Sequence, residues 1–249
     1  MNAARSFCQG LRIIRQPKWE CLATFICSSM KQVAHIRQIS HALRRRFGEL
    51  RSPRRVRPMA DKIDPPKDGL AVVNKYDLYS FPSARRLAES SEKELRECAL
   101  GYRAKNLLAT ARLVSSGDAN LETWTALPDV DLRAKLCSLP GVGAKVANCV
   151  MLFAFERLRA FPIDVWIERV LKEKYFPRAR KLNASRLRTF TQEYFGEHGG
   201  YAQQYLFHHA RMTSRDRAIG VDRPYLAPNH ETGRGGSPNR PHNLSRSRG

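Results

Sequence analysis

The chain has 249 residues, of which 42% are hydrophobic, and its 44 Lys and Arg against 23 Asp and Glu give a formal net charge of +21. This apolar content excludes a wholly disordered chain and suffices for a core in one or two domains. The positive charge favours a polyanionic partner such as nucleic acid, because binding releases counterions. No apolar run has the length of a membrane-spanning helix, so we expect a soluble protein.

Apolar residues recur at helical spacing along most of the chain, and no convincing hairpin of strands stands out. Residues 1–16 are predicted to form a short lead-in and residues 17–217 the folded core. Segment 51–70 is rich in Pro and charge, which predicts an exposed inserted loop. Segment 218–249 is rich in Gly, Pro, Asn, Ser and Arg, which predicts a disordered basic tail. The predicted helices are 19–27, 33–47, 84–89, 103–114, 131–137, 144–155, 165–175, 184–194 and 201–211.

A dense basic cluster spans the end of the second predicted helix and the start of the inserted loop. Such a cluster could follow DNA phosphates, or it could form an ordinary solvated face, and the sequence leaves both readings open. Its members are Arg44, Arg45, Arg46, Arg51, Arg54, Arg55 and Arg57.

The most informative segment is LPGVGAKVA, residues 139–147. Pro140 ends the preceding element, while Gly141 and Gly143 allow a positive φ and close backbone approach. The amides of Gly141, Val142 and Gly143, with the first turn of the following helix, can point N–H groups at an anion, and the helix dipole adds to this attraction. The segment therefore predicts a hairpin that holds a DNA phosphate, with or without catalysis.

Lys145 starts the apolar helix that follows the hairpin. An amine beside apolar surface has a disfavoured charged form and can act as a nucleophile near neutral pH. Asp164 follows Pro162 and precedes a helical pattern, so it is expected to cap that helix. The same carboxylate can stabilise positive charge on a deoxyribose as a base departs, or help to activate the lysine. The two roles are compatible.

These features resemble the helix-hairpin-helix superfamily of DNA glycosylases, and specifically the 8-oxoguanine DNA glycosylase/AP lyase family. Further matches occur in family order: IIRQPKWECLATFICSS at 13–29, FPS at 81–83, LGYRAKNLLATAR at 100–112 and GGYAQQYLF at 199–207. The resemblance covers about residues 10–211. It implies an all-α fold, a helix-hairpin-helix glycosylase core of two joined helical subdomains.

The resemblance also implies the roles of individual residues. Lys145 would form a Schiff base at the anomeric carbon, and Asp164 would assist that step. The flipped base would lie between Cys149 and Phe207, and Gln203 would bind its Watson–Crick edge. From the residues alone, ordinary core is the favoured interpretation of Cys149 and Phe207, since free cysteine is among the most buried residue types.

Other implied contacts involve DNA and a cation. Tyr102 and Arg103 match family positions that wedge into the duplex and contact the opposite strand. Main-chain carbonyls of Cys137, Leu139 and Val142 match a site for a structural monovalent cation. No other cofactor is expected, and the six scattered cysteines lack the four-cysteine cluster that an iron–sulfur glycosylase carries after the aspartate.

Several positions depart from the family pattern. Met30, Lys31 and Gln32 replace an asparagine-rich stretch, so the residue that reads the orphaned cytosine is missing. Trp166 stands where a histidine is expected, and Ala210 where its acidic partner is expected. The joint replacement removes a phosphate contact while leaving no unpaired buried charge, which would be costly.

The front of the chain also departs from the family, whose members usually begin with an antiparallel β domain. Here the first core helix starts almost at once, which indicates a shorter glycosylase type or a truncated or misassigned start. The resemblance implies a monomeric base excision repair enzyme that excises 8-oxoguanine from double-stranded DNA and nicks abasic sites by β-elimination. The alternatives are an AP lyase with weak base recognition and a non-catalytic DNA-binding fragment. The scattered cysteines favour an intracellular location with the DNA, in cytoplasm, nucleoid or nucleus.

Overall fold

The computed structural model describes residues 1–29, 33–51, 78–179 and 182–218. The inserted loop predicted at 51–70 and the tail predicted at 218–249 therefore lie almost entirely outside the described residues. So do Met30, Lys31 and Gln32 and the basic-cluster residues Arg54, Arg55 and Arg57.

Helices dominate the described residues, and every predicted helix is present. The helices are α1 (Asn2–Phe7), α2 (Lys18–Ser28), α3 (Val33–Phe47), α4 (Ala84–Ala88), α5 (Glu92–Leu95), α6 (Arg103–Ser116), α7 (Asp129–Cys137), α8 (Ala144–Ala154), α9 (Val165–Tyr175), α10 (Ala184–Phe195) and α11 (Gly199–Ala218). A π-helical turn, Arg96–Leu100, joins α5 to α6, and 3₁₀ turns occupy Thr123–Ala126 and Gly196–His198. Helices α1 and α5 were not predicted.

One pair of very short strands corrects the expectation that no strands pair. β1 (Leu50–Arg51) and β2 (Leu78–Tyr79) lie antiparallel, with Leu50 opposite Tyr79. Two residues per strand are too few to show the apolar alternation from which strands are recognised in a sequence. The prediction of an all-α class is otherwise confirmed.

Local capping explains several helix boundaries. Ser91 and Glu94 form a capping box at the start of α5, in which each side chain bonds the other residue's backbone N–H. Asn183 caps α10 by accepting a hydrogen bond from the Arg186 N–H at 2.7 Å. At the far end of α6, Gly117 takes the left-handed conformation with φ of 90° that favours glycine. These helix ends are therefore set by nearby residues.

Two hydrophobic clusters divide the molecule, which confirms the prediction of two joined helical subdomains. The first subdomain is built from α2 to α8 and buries side chains such as Leu22, Leu107 and Met151 completely. The second is built from α1, α9, α10 and α11 around residues such as Ile167 and Leu187. Burying one such side chain stabilises the fold by roughly 1.5–3 kcal/mol.

The N-terminal helix α1 belongs to the second subdomain, which differs from the predicted lead-in. Ala4 is buried in that cluster. The ring of Phe7 lies 5.8 Å from His208 and 5.4 Å from His209, measured between ring centroids. The first and last helices of the described residues thus pack together.

The subdomains meet where α8 ends and α11 begins. The Gly200 N–H donates to the Leu158 carbonyl at 2.7 Å, and a Cβ at Gly200 would lie only 2.3 Å from Leu152 Cδ1. The same Cβ would lie 3.0 Å from the Leu158 carbonyl oxygen and 3.1 Å from that of Ala160, so this close approach favours glycine. Cys149 of α8 is buried but belongs to neither hydrophobic cluster. Throughout the described ranges, no helix combines the length and apolar character needed to cross a bilayer.

Candidate active site

The hairpin between α7 and α8 is held in shape by one glycine. Gly141 has a φ of +80°, and a Cβ there would lie 2.8 Å from Cβ of Asn106. Gly143 instead has an extended backbone, with φ −93° and ψ 178°, and open space around the position of a Cβ. The prediction of positive φ is therefore correct for Gly141 and wrong for Gly143, whose exposed backbone leaves room for a ligand.

The hairpin leaves several backbone donors available. The Val142 N–H donates to the Leu139 carbonyl at 3.1 Å and closes the turn, so Val142 cannot contribute the free amide predicted for it. Thr110 Oγ1 donates to the Pro140 carbonyl at 2.9 Å and ties the turn to α6. Gly143 is the N-cap of α8 and provides no side-chain cap. The first N–H groups of α8 thus lack an intrahelical acceptor and suit an anion.

Lys145 lies in this first turn of α8 and is half-buried. Its Nζ is 5.3 Å from the ring centroid of Phe25 on α2, a cation–π contact. Asp164 is the N-cap of α9, as the sequence predicted, and its Oδ1 accepts the Ile167 N–H at 2.8 Å. The nucleophile candidate and the carboxylate thus sit at the starts of two consecutive helices.

The charges of Lys145 and Asp164 both act on the thiol of Cys149. It is 3% exposed, and burial raises its pKa to about 11. The charge of Lys145 opposes this rise and the charge of Asp164 adds to it, so both charges act on the same buried thiol. The structure therefore brings Lys145, Cys149 and Asp164 together at the junction between the subdomains.

The other two predicted base-binding residues lie on α11. Gln203 is 4% exposed, and its Oε1 accepts a hydrogen bond from Gln204 Nε2 at 2.5 Å. Phe207 is half-buried and packs against the second hydrophobic cluster. Because the two residues are four positions apart, they lie on one face of the helix. The predicted pocket thus draws on both subdomains.

Tyr102 and Arg103 differ sharply in exposure. The Tyr102 side chain is 59% exposed, as a wedge requires, whereas Arg103 is only 5% exposed. Arg103 Nε donates to the Ser29 carbonyl at 2.7 Å, and its Nη1 donates to the Leu100 carbonyl at 3.3 Å. The direct contact predicted between Arg103 and the opposite strand does not agree with this placement, because the guanidinium is bonded inside the protein and stacks on Tyr102.

The basic cluster is less available than its sequence suggested. Arg44 pairs with Glu20, and Arg46 donates to Glu97 at 2.5 Å. Arg45 is exposed. The two carboxylates come from other helices, 24 and 51 residues away in the sequence, so no local spacing reveals them. Both interpretations of the cluster stay open, but a phosphate contact by Arg44 or Arg46 would compete with an ion pair inside the protein.

The two substituted family positions carry no buried charge. Trp166 is half exposed, and the Arg169 guanidinium lies 5.5 Å from its ring centroid. Ala210 is buried among the residues of the second subdomain. These positions match the expectation that the joint replacement leaves no charge unpaired.

The cation site predicted at the hairpin depends on main-chain oxygens. The Leu139 carbonyl already accepts the Val142 N–H and keeps one lone pair for a second partner. Side chains offer no alternative in the described ranges, where no group of three or more His, Cys, Asp or Glu could hold a metal ion.

A small cleft beside Lys145 contains polar residues that the sequence analysis missed. It has a volume of about 180 Å³ and lies between α8, α9 and α10. An Asn within the otherwise apolar α8, three residues after the lysine, was the available signal. A larger cleft of about 730 Å³ lies near α4 and the strand pair, away from Lys145 and Asp164. The small cleft is lined by Ala144, Lys145, Asn148, Ile163, Glu168, Ala184, Leu187 and Arg188.

Curated relatives carry a consistent set of names. An N-glycosylase/DNA lyase OGG1 of Arabidopsis thaliana is 31% identical over 209 residues, which cover 80% of this chain and 52% of the relative. An N-glycosylase/DNA lyase of Saccharomyces cerevisiae is 32% identical over 192 residues, covering 73% of this chain and 46% of the relative. The chain thus spans about half the length of the curated relatives it matches.

A solved structure and a family model match the same class of protein as these relatives. The 8-oxoguanine glycosylase/lyase of Clostridium acetobutylicum, in complex with double-stranded DNA containing cytosine opposite 8-oxoguanine, matches with a TM-score of 0.74 and 30% identity. The match covers 86% of this chain and 66% of that one. The model of the HhH-GPD superfamily base excision DNA repair protein matches residues 24–193, most of the described core. The chain belongs to the HhH-GPD superfamily of base excision DNA repair proteins.

Proposed function

We propose that this protein is a bifunctional DNA glycosylase/AP lyase that excises 8-oxoguanine from double-stranded DNA. The observation that carries the proposal is the placement of Lys145: half-buried against Phe25, at a helix start with free backbone donors, and sharing an electrostatic neighbourhood with Asp164. A helix start that binds a phosphate would hold the sugar of that nucleotide beside the lysine. The names of the relatives support the same activity.

The reaction starts from the unprotonated amine of Lys145. Nζ attacks C1′ of the damaged nucleotide, the bond from C1′ to the base breaks, and the base takes the electron pair and a proton. The carboxylate of Asp164 stabilises the positive charge that develops on the sugar. Ring opening gives a protonated Schiff base, which loses a 2′ proton as the 3′ phosphate leaves. Hydrolysis of the remaining Schiff base frees the lysine.

The base pocket is assigned to Cys149, Gln203 and Phe207. Since burial raises the pKa of Cys149 to about 11, its thiol is neutral at physiological pH and can contact a base without charge. Gln203 Oε1 is already bonded to Gln204, so its amide N–H groups are the donors left for the Watson–Crick edge. Phe207 offers an aromatic face for stacking, as enzymes that extrude a base commonly use.

DNA is held by the hairpin and by the exposed Tyr102 at the N-cap of α6. The amides of Gly141 and Gly143, with the first turn of α8, take a phosphate. Tyr102 wedges into the duplex where the base leaves the stack. The enzyme acts as a monomer wherever the DNA is, in cytoplasm, nucleoid or nucleus. It needs no dissociable cofactor, and a monovalent cation on the hairpin carbonyls of Cys137, Leu139 and Val142 would be structural.

Borohydride trapping tests this function, because the reagent reduces a Schiff base to a stable crosslink. The full chain is incubated with duplexes that contain either 8-oxoguanine opposite cytosine or an abasic site. Lys145→Gln is expected to reduce crosslinking at least about a thousand-fold, the scale of losing a covalent nucleophile. Lys174→Gln, which removes an exposed lysine of α9, is the matched control and should crosslink like the wild type.

The two substrates separate the proposal from its alternatives. Crosslinks to both duplexes support the bifunctional enzyme. A crosslink to the abasic duplex alone would replace it with an AP lyase of weak base recognition. Crosslinks to neither, with the duplex still bound, would leave a non-catalytic DNA-binding fold.

A further inference from the structure

Asn148 has a buried hydrogen-bond acceptor without a partner. The residue lies on α8, one turn after Lys145, and is 7% exposed. Its Nδ2 donates to the Phe161 carbonyl at 3.3 Å, which links α8 to the start of the second subdomain. Its Oδ1 is fully buried and has no hydrogen-bond partner. Buried acceptors of this kind are rare, and each calls for an explanation.

The orientation of this amide is fixed by its surroundings. Exchanging the oxygen and nitrogen would place Oδ1 against the Phe161 carbonyl, an unfavourable contact between two acceptors. Nδ2 would then lose its partner. Oδ1 therefore keeps its position, and it requires a donor from elsewhere.

Lys145 is the residue best placed to donate a hydrogen bond to Asn148 Oδ1. Residues three apart on a helix are neighbours, and Lys145 and Asn148 both line the 180 Å³ cleft. The lysine side chain is flexible, and its Nζ now rests over the Phe25 ring rather than in a hydrogen bond that would hold it there. Of the other charged cleft residues, Glu168 of α9 is an acceptor, which leaves Arg188 of α10 as the competing donor.

We propose that Asn148 Oδ1 accepts an N–H of Lys145 Nζ and holds the amine for attack. With one N–H directed at Asn148, the lone pair of Nζ is free to form the bond to C1′. As that bond forms, positive charge grows on the nitrogen, and the hydrogen bond strengthens with it. This role rests on the proposed function, since it concerns the nucleophile of that reaction.

A neutral amide suits this position better than a carboxylate. A carboxylate beside Nζ would favour the protonated form, raise the pKa of the lysine and remove the nucleophile at neutral pH. Other titratable groups already surround this part of the molecule. Glu168 on α9 and Arg188 on α10 line the cleft with Lys145, and the charges of Lys145 and of Asp164, the N-cap of α9, both act on the Cys149 thiol. An uncharged acceptor orients Nζ without changing this balance.

The contact is tested first without DNA. Lysines of the full chain are labelled with ¹³C at Cε, and Lys145 is titrated by NMR in the wild type, Asn148→Asp and Thr191→Val. Asn148→Asp is expected to raise the pKa of Lys145 by about one unit or more, because a carboxylate at hydrogen-bond distance stabilises the ammonium. Thr191→Val alters another buried polar residue, outside the cleft, and should leave the titration unchanged.

Single-turnover crosslinking to abasic DNA then tests the role. Asn148→Leu, similar in size but without an acceptor, is expected to slow trapping about 10- to 100-fold at saturating DNA, on the scale of losing one preorganised hydrogen bond. Asn148→Asp should retain trapping but move its pH profile upwards, since the amine is nucleophilic only after losing its proton. Melting temperatures show that each variant is folded.

The outcomes are distinguishable from failure of the proposed function. A wild type that forms no crosslink contradicts the function, and the NMR titration still decides the contact between Asn148 and Lys145. A Lys145 titration that is the same in Asn148→Asp as in the wild type would overturn the proposal. So would an Asn148→Leu protein that crosslinks at the wild-type rate.

Discussion

The hairpin before α8 and the turn at Gly101 before α6 each precede a basic residue, but the two basic side chains differ in exposure. Each is a turn with a glycine at positive φ, and each leads into a helix whose first turn carries a cation. In the hairpin, Lys145 keeps its ammonium half-exposed over Phe25. At the start of α6, Arg103 is buried against the Ser29 carbonyl, and the neighbouring Tyr102 is exposed. A cation after a glycine turn therefore does not by itself identify a DNA contact.

The reason for the difference lies in α2, a helix distant in sequence from both turns. The last carbonyls of a helix have no intrahelical donor, and Ser29 is the C-cap of α2, with a non-helical backbone of φ −55° and ψ 124°. Arg103 donates to that carbonyl and so completes the end of α2. Lys145 contacts the same helix through the ring of Phe25, in a cation–π contact rather than a hydrogen bond to a carbonyl.

Replacement of Arg103 should have the largest effect on stability. Arg103→Met leaves the Ser29 and Leu100 carbonyls without their charged donor, so we expect about 3 kcal/mol of destabilisation. Tyr102→Ala, its neighbour, should change the free energy of unfolding by less than about 0.5 kcal/mol, because the ring is mostly exposed. It should instead weaken DNA binding. Urea denaturation and fluorescence anisotropy measure the two effects, and a stable Arg103→Met protein with reduced DNA affinity would restore Arg103 as a direct contact.

The two glycines of the hairpin should respond differently to alanine. Gly141→Ala forces a positive φ on a residue with a Cβ that would lie 2.8 Å from Cβ of Asn106, and we expect about 2 kcal/mol of destabilisation. Gly143→Ala has an extended backbone and open space, so its stability should change little. Its new methyl group should hinder the phosphate and reduce DNA affinity. Equal thermal shifts for the two variants would contradict the observed turn.

The thiols near the two turns should differ in their reactivity with iodoacetamide. Burial raises the pKa of Cys149 to about 11 and also raises the pKa of Cys98 in the π-helical turn, whereas Cys137 at the hairpin is exposed. The thiolate is the reactive form, so at pH 7.5 Cys137 should be labelled first. Labelling of Cys149 should rise with pH up to about 11. Mass spectrometry of peptides follows each site, and rapid labelling of Cys149 at neutral pH would show that its pocket is open.

The sequence was a good guide where structure depends on neighbouring residues. The hairpin, the start of α8 and the cap at Asp164 follow from glycine, proline and carboxylate preferences within a few positions. Apolar periodicity located each predicted helix because packing faces repeat every 3.6 residues. The short helices α1 and α5, of six and four residues, were not predicted.

The predicted DNA contacts of some arginines were less reliable, because their bonding partners are distant in the sequence. The ion pairs of Arg44 with Glu20 and of Arg46 with Glu97 join separate helices, as does the bond from Arg103 to Ser29. The unpaired oxygen of Asn148 became visible only when α8 packed against the segment carrying Phe161. None of these contacts is encoded in local spacing.

The helical class, the hairpin and the cap at Asp164 follow from the sequence, because short-range backbone preferences and motif spacing specify them. The catalytic pairing of Lys145 with Asp164 stays a prediction. The tertiary structure alone decided which cations are free and which are bonded inside the protein. It also decided that α1 packs on α11 and that a polar cleft lies beside Lys145. Burial and hydrogen-bond partners depend on side chains brought together from distant parts of the chain, so they become fixed only when the helices pack.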